Sequence, residues 1–246
     1  MKIHVLGYWG TYPAPGEATT GFLVETDGEK VLLDCGSGVL AQLFKLCGVE
    51  SLSAVVVTHH HYDHTADLGV LSYALLKARV NQTRTTPLPM YMLEGPAGLM
   101  RDLRTEPLAD VRRIDATDTV HIGELTLTFA PTVHPVKCLA VRFEHQGKVF
   151  VFSADSSVCQ PLRTLAHGAD LFLCEASMYD GEETVAKRAG HMTAGQAGQL
   201  AREAGARRLA LTHYPHEGDL ERLVAQATEA FGQPVQRLHT LDVLTV

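Results

Sequence analysis

The chain has 246 residues, 46% of them hydrophobic and 20% charged, and a formal net charge of −7. That composition supports an ordinary globular core, and the acidic balance argues against a protein that grips a long polyanion through a basic face. No apolar run reaches the length of a membrane span. The opening "MKIHVLGYWG" lacks the long apolar core and small-residue cleavage site of a signal peptide, so a cytoplasmic protein is expected. The five cysteines, Cys35, Cys47, Cys138, Cys159 and Cys174, are scattered and form no CxxC pair. They read as reduced core thiols, not as a disulfide framework.

Strands and helices alternate, and no linker divides the chain, so a single domain over 1–246 is expected. "KIHVLG" reads as a strand, "YWGTYPAPGEATT" as a Gly/Pro-rich loop, and 21–36 as a hairpin turning at Asp27-Gly28. The segment 37–48 is helical and stops at Gly48. "LSAVVVT" is a buried strand by its β-branched run. The next helix, 66–78, carries Leu68, Leu71, Leu75 and Ala78 at helical spacing. "NQTRTTPLPMYMLEGPAG" reads as a loop. Further on, 124–132 is a strand and 139–155 a hairpin turning at Gln146-Gly147. Then come a short helix (162–168), a strand (169–177), a helix (193–205), a strand (207–213), a helix (219–232) and a last strand (235–246). The order around Asp34 and His59 is echoed around Asp155 and Glu175: strand, helix, strand. The echo points to two similar α/β halves packed sheet to sheet with helices outside.

The stretch "VVVTHHHYDHTADLG" concentrates the chemistry. His59 and His61 sit two apart in an extended segment, so both can point to one side, while His60 points away. Asp63 and His64 follow at the turn into the next helix. Two ligand pairs on one tight loop can serve two adjacent metals. His134, Asp155 and His213 each stand at the end of an apolar strand. Any one of them alone would read as a loop or core residue. Together with the loop, they are hard to explain that way.

"THHHYDH" resembles the H-x-H-x-D-H signature of the metallo-β-lactamase fold, and "LLDCGSG", with Asp34, resembles the element that precedes it. The resemblance implies an α/β fold, a four-layer αβ/βα sandwich, with a dinuclear site. It implies that His59, His61 and His134 bind one metal, that Asp63, His64 and His213 bind the other, and that Asp155 bridges them. Asp63 is counted among the catalytic residues as well. A nitrogen and oxygen donor set without thiolate suits two zinc ions, with manganese or iron as alternatives. Asp34 is read either as an outer partner of a ligating histidine or as a turn-stabilising residue.

Two metals about 3.5–4 Å apart can hold a bridging hydroxide and polarise an ester or phosphoryl oxygen. Exported β-lactamases would need a signal peptide. Glyoxalase II enzymes carry a long C-terminal region, whereas little chain follows His213. "AGHMTAGQAGQLAREAGARRLALTHYP" and "DLFLCEASMYD" are similar to stretches of the tRNase Z-like branch. That likeness implies that His191 assists the leaving group and that Glu175 orients it. Chemically, a histidine can protonate a departing alkoxide. Thr193 can cap the following helix. His216 is a weaker candidate for substrate contact. The long basic arm that tRNase Z enzymes insert between the residues matching His134 and Asp155 is missing, and a plain hairpin is expected there. That departure and the net charge argue against tRNA.

The expectation is therefore a dinuclear zinc phosphodiesterase acting on a small or cyclic phosphodiester. Its rivals are a lactonase or thioesterase on the same metals, a tRNA 3′-processing nuclease, and a binding module without turnover. Homodimerisation is expected from the resemblance alone.

Overall fold

The computed structural model describes residues 1–95 and 108–246, which fall into two compact units. The first comprises Met1–Gly7, Thr11–Ile114 and Thr240–Thr245, and the second is essentially Tyr8–Gly10 with Asp115–His239.

The first unit is built on a mixed sheet of β1 (Lys2–Gly7), β2 (Gly21–Glu25), β3 (Lys30–Leu33), β4 (Ala54–Val57), β5 (Leu88–Met92), β6 (Ala109–Arg113) and β13 (Val243–Thr245). Their order is β13-β1-β2-β3-β4-β5-β6, antiparallel from β13 to β3 and parallel from β3 to β6. The β2–β3 hairpin closes with Thr26 N–H donating to Glu29 O at 2.9 Å. All four residues of β4 are buried, as expected of an interior strand covered on both faces. Helices α1 (Val39–Leu43), α2 (Tyr62–Thr65) and α3 (Leu68–Val80) lie in the same unit among the described residues. Leu68, Leu71, Leu75 and Ala78 of α3 are buried in one core with Leu32, Val55, Val57 and Met90.

The second unit has β7 (Thr119–Ile122), β8 (Leu125–Pro131), β9 (Leu139–His145), β10 (Lys148–Phe152), β11 (Leu171–Glu175) and β12 (Leu209–Thr212), in the order β12-β11-β10-β9-β8-β7. The strands β7 to β10 run antiparallel and β10 to β12 parallel. The β9–β10 hairpin turns at Gln146 (φ 50°) and Gly147 (φ 74°), the two positive φ values of a type I′ turn. The helices are α4 (Gln160–Leu165), α5 (Glu183–Ala189), α6 (Ala194–Glu203) and α7 (Leu220–Phe231). Thr193 opens α6 in a capping box with Gln196, which satisfies donors of the first turn.

Several boundaries differ from the sequence expectation. The helix expected over 37–48 is confined to α1, because Leu46 N–H donates to Leu43 O and Lys45 N–H to Gln42 O, tightening the chain into turns. The loop read at 81–98 contains β5, and its residues 96–98 lie outside the described ones. Pro89, which lacks a ladder donor, is a residue disfavoured inside sheets. The strand forms nonetheless, between β4 and β6 in the sheet. The largely exposed strand β6 and the short helix α5 carry no apolar period, and β7 alternates buried Val120 and Ile122 with exposed residues over only four positions. Of 235–246, only Val243–Thr245 is a strand, with Gln236 making one bridge to Ala210. Among the described residues no helix is long and apolar enough to cross a membrane.

Candidate metal centre

Most of the polar residues leave the carboxyl ends of buried strands in the parallel part of each sheet, where open α/β sheets place their sites, and His134 leaves the antiparallel β8. In the first unit, β4 runs into Thr58 and His59. His59 Nε2 lies 3.2 Å from His61 Nδ1. Two imidazole nitrogens bound tetrahedrally to one zinc ion would be about 3.3 Å apart. His60 turns the other way and its Nε2–H donates to Leu93 O at 2.9 Å.

His64 is fully buried in α2, and its Nδ1–H donates to Asp34 Oδ2 at 2.7 Å. That bond leaves Nε2 on the other side, 3.8 Å from Asp63 Oδ2. Asp34 fills both roles considered for it. It holds His64, and it also fixes the strand end by accepting from Thr58 N at 2.8 Å and Thr58 Oγ1 at 2.9 Å. Asp63 Oδ2 accepts from Thr11 N at 2.9 Å. The loop is packed so closely that a Cβ on Gly36 would come within 2.0 Å of Asp63 O, which accounts for the glycine after Asp34-Cys35.

In the second unit, His134 follows β8, Asp155 follows β10 and His213 follows β12. Oδ2 of Asp155 lies 3.7 Å from His134 Nε2 and 3.3 Å from His213 Nε2. His134 gives its Nδ1–H to Gly190 O at 3.0 Å. His213 gives its Nδ1–H to Ser177 Oγ at 2.8 Å, and Ser177 donates in turn to Glu175 Oε2 at 2.7 Å. The other oxygen of this fully buried carboxylate, Oε1, accepts from His191 Nδ1–H at 2.9 Å and from Ser156 N at 2.7 Å. The His191 ring lies against both His134 and His213, with centroids 5.1 and 5.2 Å apart. His216 stacks on Trp9 at 4.7 Å.

The donors fit a divalent metal. His64, His134 and His213 each commit Nδ1 to a protein partner and turn Nε2 toward a carboxylate oxygen at 3.3–3.8 Å. This is how a ligating histidine is held in one tautomer, and the separations are those of neighbouring donors on one ion. The nearby thiols do not join them. Neither Cys35 nor Cys174 is among the grouped donors, and burial pushes both thiols well above their usual range. The histidine and aspartate clusters are thus compatible with a divalent metal. Sequence reasoning missed Ser177 and the Gly190 carbonyl. Ser177 stands two residues after Glu175, close enough in an extended segment to share its side. The carbonyl left no signal in the sequence.

Residues 29–214 match the model of the beta-lactamase superfamily domain, and the chain belongs to that superfamily. Its mixed sheets and flanking helices are the metallo-β-lactamase fold. The chain is 35% identical to the Probable metallo-hydrolase YhfI of Bacillus subtilis over 96% of each chain. The crystal structure of YhfI superposes with a TM-score of 0.94 at 33% identity, covering 99% of this chain and 98% of YhfI. Ribonuclease Z of Streptomyces coelicolor is 27% identical over 93% of this chain and 92% of its own. A diphosphatase of the PhnP family shares the fold, with a TM-score of 0.78 at 17% identity over 100% of this chain and 97% of that one.

Proposed function

We propose that this chain is a dinuclear metallo-hydrolase that cleaves a small or cyclic phosphodiester. The observation that carries the reading is the buried Glu175 carboxylate, which holds His191 by its Nδ1–H beside His134 and His213. A thioesterase, whose thiolate departs without a proton, gains little from this fixed imidazole, whereas the alkoxide leaving a phosphodiester needs its proton. Two relatives, named a ribonuclease and a diphosphatase, carry names that denote cleavage at phosphorus.

In this reading the chain acts as one functional domain. His59, His61 and His134 would hold one ion and Asp63, His64 and His213 the second, with Asp155 available to both. Zinc is the ion the donor set favours, with manganese or iron as alternatives. When bound, such a pair of cations supplies an activated water and neutralises charge developing at the phosphoryl group. The chain's residues do the rest. Asp63 and Asp155 balance the positive charge, and Asp34 and Ser177 fix ligand tautomers. With Nδ1 engaged by Glu175, His191 gives a proton from Nε2 to the departing alkoxide.

The substrate is small. The interval between His134 and Asp155 is occupied by the β9–β10 hairpin, which leaves no arm for tRNA, and the net charge of −7 does not favour a polyanion. A cytoplasmic homodimer completes the reading. Its test is turnover by the metal-loaded protein of a panel of phosphodiesters, lactones and thioesters. Phosphodiesters should be the substrates, and preference for the carboxyl esters would overturn the proposal.

A further inference from the structure

The second unit holds a cavity of about 670 Å³ between α4 and the strands β8 and β9. The volume falls in the range of small-molecule sites, and none of the candidate metal ligands lines it. Its origin lies in the sequence. Ala130 pairs with Ala140 across β8 and β9, and Thr128 pairs with Arg142 on the same face. Two of the four side chains beneath α4 are therefore methyl groups, and they leave room under the helix. Ala130, Pro131, Pro161 and Leu165 give the cavity an apolar wall, and Arg142 brings it a fixed charge. Nε–H of Arg142 donates to Glu144 Oε1 at 2.6 Å, and Nη1–H donates to the carbonyls of Leu165 and His167, both at 3.0 Å. Three acceptors hold the guanidinium in place. Its Nη2 makes no hydrogen bond among the described residues.

We infer that this cavity binds a small carboxylic acid with an apolar body, its carboxylate on Arg142 Nη2 and its body along Ala130, Pro131, Pro161 and Leu165. The inference goes beyond the proposed reaction and does not depend on it. The free edge of a guanidinium in a largely apolar wall favours an anionic acceptor. Arg142 is already held by its other three bonds, so little ordering cost remains to be met on binding. Glu144 does not line the cavity, and its side chain is 49% exposed, so water screens it from a bound anion. What remains is the N–H edge of one cation. That matches a monoanionic carboxylate better than the two charges of a phosphate monoester. The hydroxyl of Thr164 and the ring N–H of His167, which also line the cavity, are further donors for the second carboxylate oxygen. A compact anion would leave the apolar wall uncovered, and an uncharged hydrocarbon would leave Nη2 without an acceptor.

The test is calorimetric titration of the full-length, metal-loaded protein with octanoate, octan-1-ol and octylammonium, which share one tail. Octanoate should bind saturably at one site per chain. It should bind about 10–100-fold more tightly than the alcohol, the effect of a hydrogen bond to a charged group, and octylammonium should bind more weakly than either. Arg142→Gln should erase the preference for the acid over the alcohol. Ala130→Leu should abolish binding of both by filling the space, with metal content and the far-UV circular dichroism spectrum unchanged. Amide chemical shifts of the wild type decide the case if a variant misfolds. Octanoate should move the resonances of residues 129–131 and 160–167 most. No saturable binding by heat or by amide shifts, equal binding of acid and alcohol, or shifts centred elsewhere would overturn the inference. So would octanoate binding that survives Ala130→Leu, which would place the carboxylate at the metal centre.

Discussion

His191 donates its Nδ1–H to Oε1 of the fully buried Glu175 at 2.9 Å. The pair fixes which imidazole nitrogen can exchange a proton with substrate. If that proton goes to the leaving group, the effect of His191→Ala depends on how much the group needs it. An activated aryl phosphodiester, whose leaving group departs unaided, should slow only modestly. A cyclic or alkyl phosphodiester should slow on the order of 10²–10⁴-fold, the range of general acid catalysis. Metal content should be unchanged. Steady-state rates on the two substrates, with metal analysis of the variant, check this. Equal losses on both would mean that His191 binds the phosphate without donating a proton.

Ser177 separates two functions of the same carboxylate. It accepts from His213 at 2.8 Å and donates to Glu175 at 2.7 Å. Ser177→Ala should weaken metal binding by about 10–100-fold, the usual effect of losing such an outer partner, with little dependence on the leaving group. Glu175→Gln should show a milder form of the His191→Ala pattern. Competition with a chelator and the two-substrate comparison together read both effects.

Asp34 has φ 57°, a conformation asparagine tolerates better than most residues. Asp34→Asn therefore removes the charge while preserving the turn. His64 and Thr58 lose their charged acceptor, so apo-protein stability should fall by about 1–3 kcal/mol. Metal affinity should fall by about 10–100-fold. Chemical denaturation without metal measures the first, and chelator competition the second.

The candidate ligands were legible because they sit where apolar strands stop: β4 ends two residues before His59, and β12 runs directly into His213. Periodicity also placed the buried face of α3. The strand β5 carries Pro89, a residue disfavoured inside sheets, β6 is polar, and β7 is too short for its Val120 and Ile122 alternation to stand out. The hydrogen bonds that fix the histidine tautomers were legible only in part. Asp34 lay in a motif, whereas Gly190 contributes a carbonyl that any residue would have.

Away from the site, Glu25 offers a pH test. Burial raises its pKa, but hydrogen bonds to His4 at 2.7 Å and an ion pair with Lys30 at 3.1 Å outweigh this and hold it below the usual glutamate value. A carboxylate depressed in the folded state stabilises above its unfolded pKa, and that stability is lost as pH falls through the folded one. Glu25→Gln should therefore lower the melting temperature at neutral pH, and the difference from wild type should shrink in acid. A difference independent of pH would remove the assignment.

The central claim, cleavage at phosphorus, is tested most directly by one comparison. kcat/KM is measured for the zinc- or manganese-loaded protein on a cyclic phosphodiester and on a lactone of similar size. The account predicts that the phosphodiester is preferred by orders of magnitude. A lactone turned over as fast or faster would contradict it.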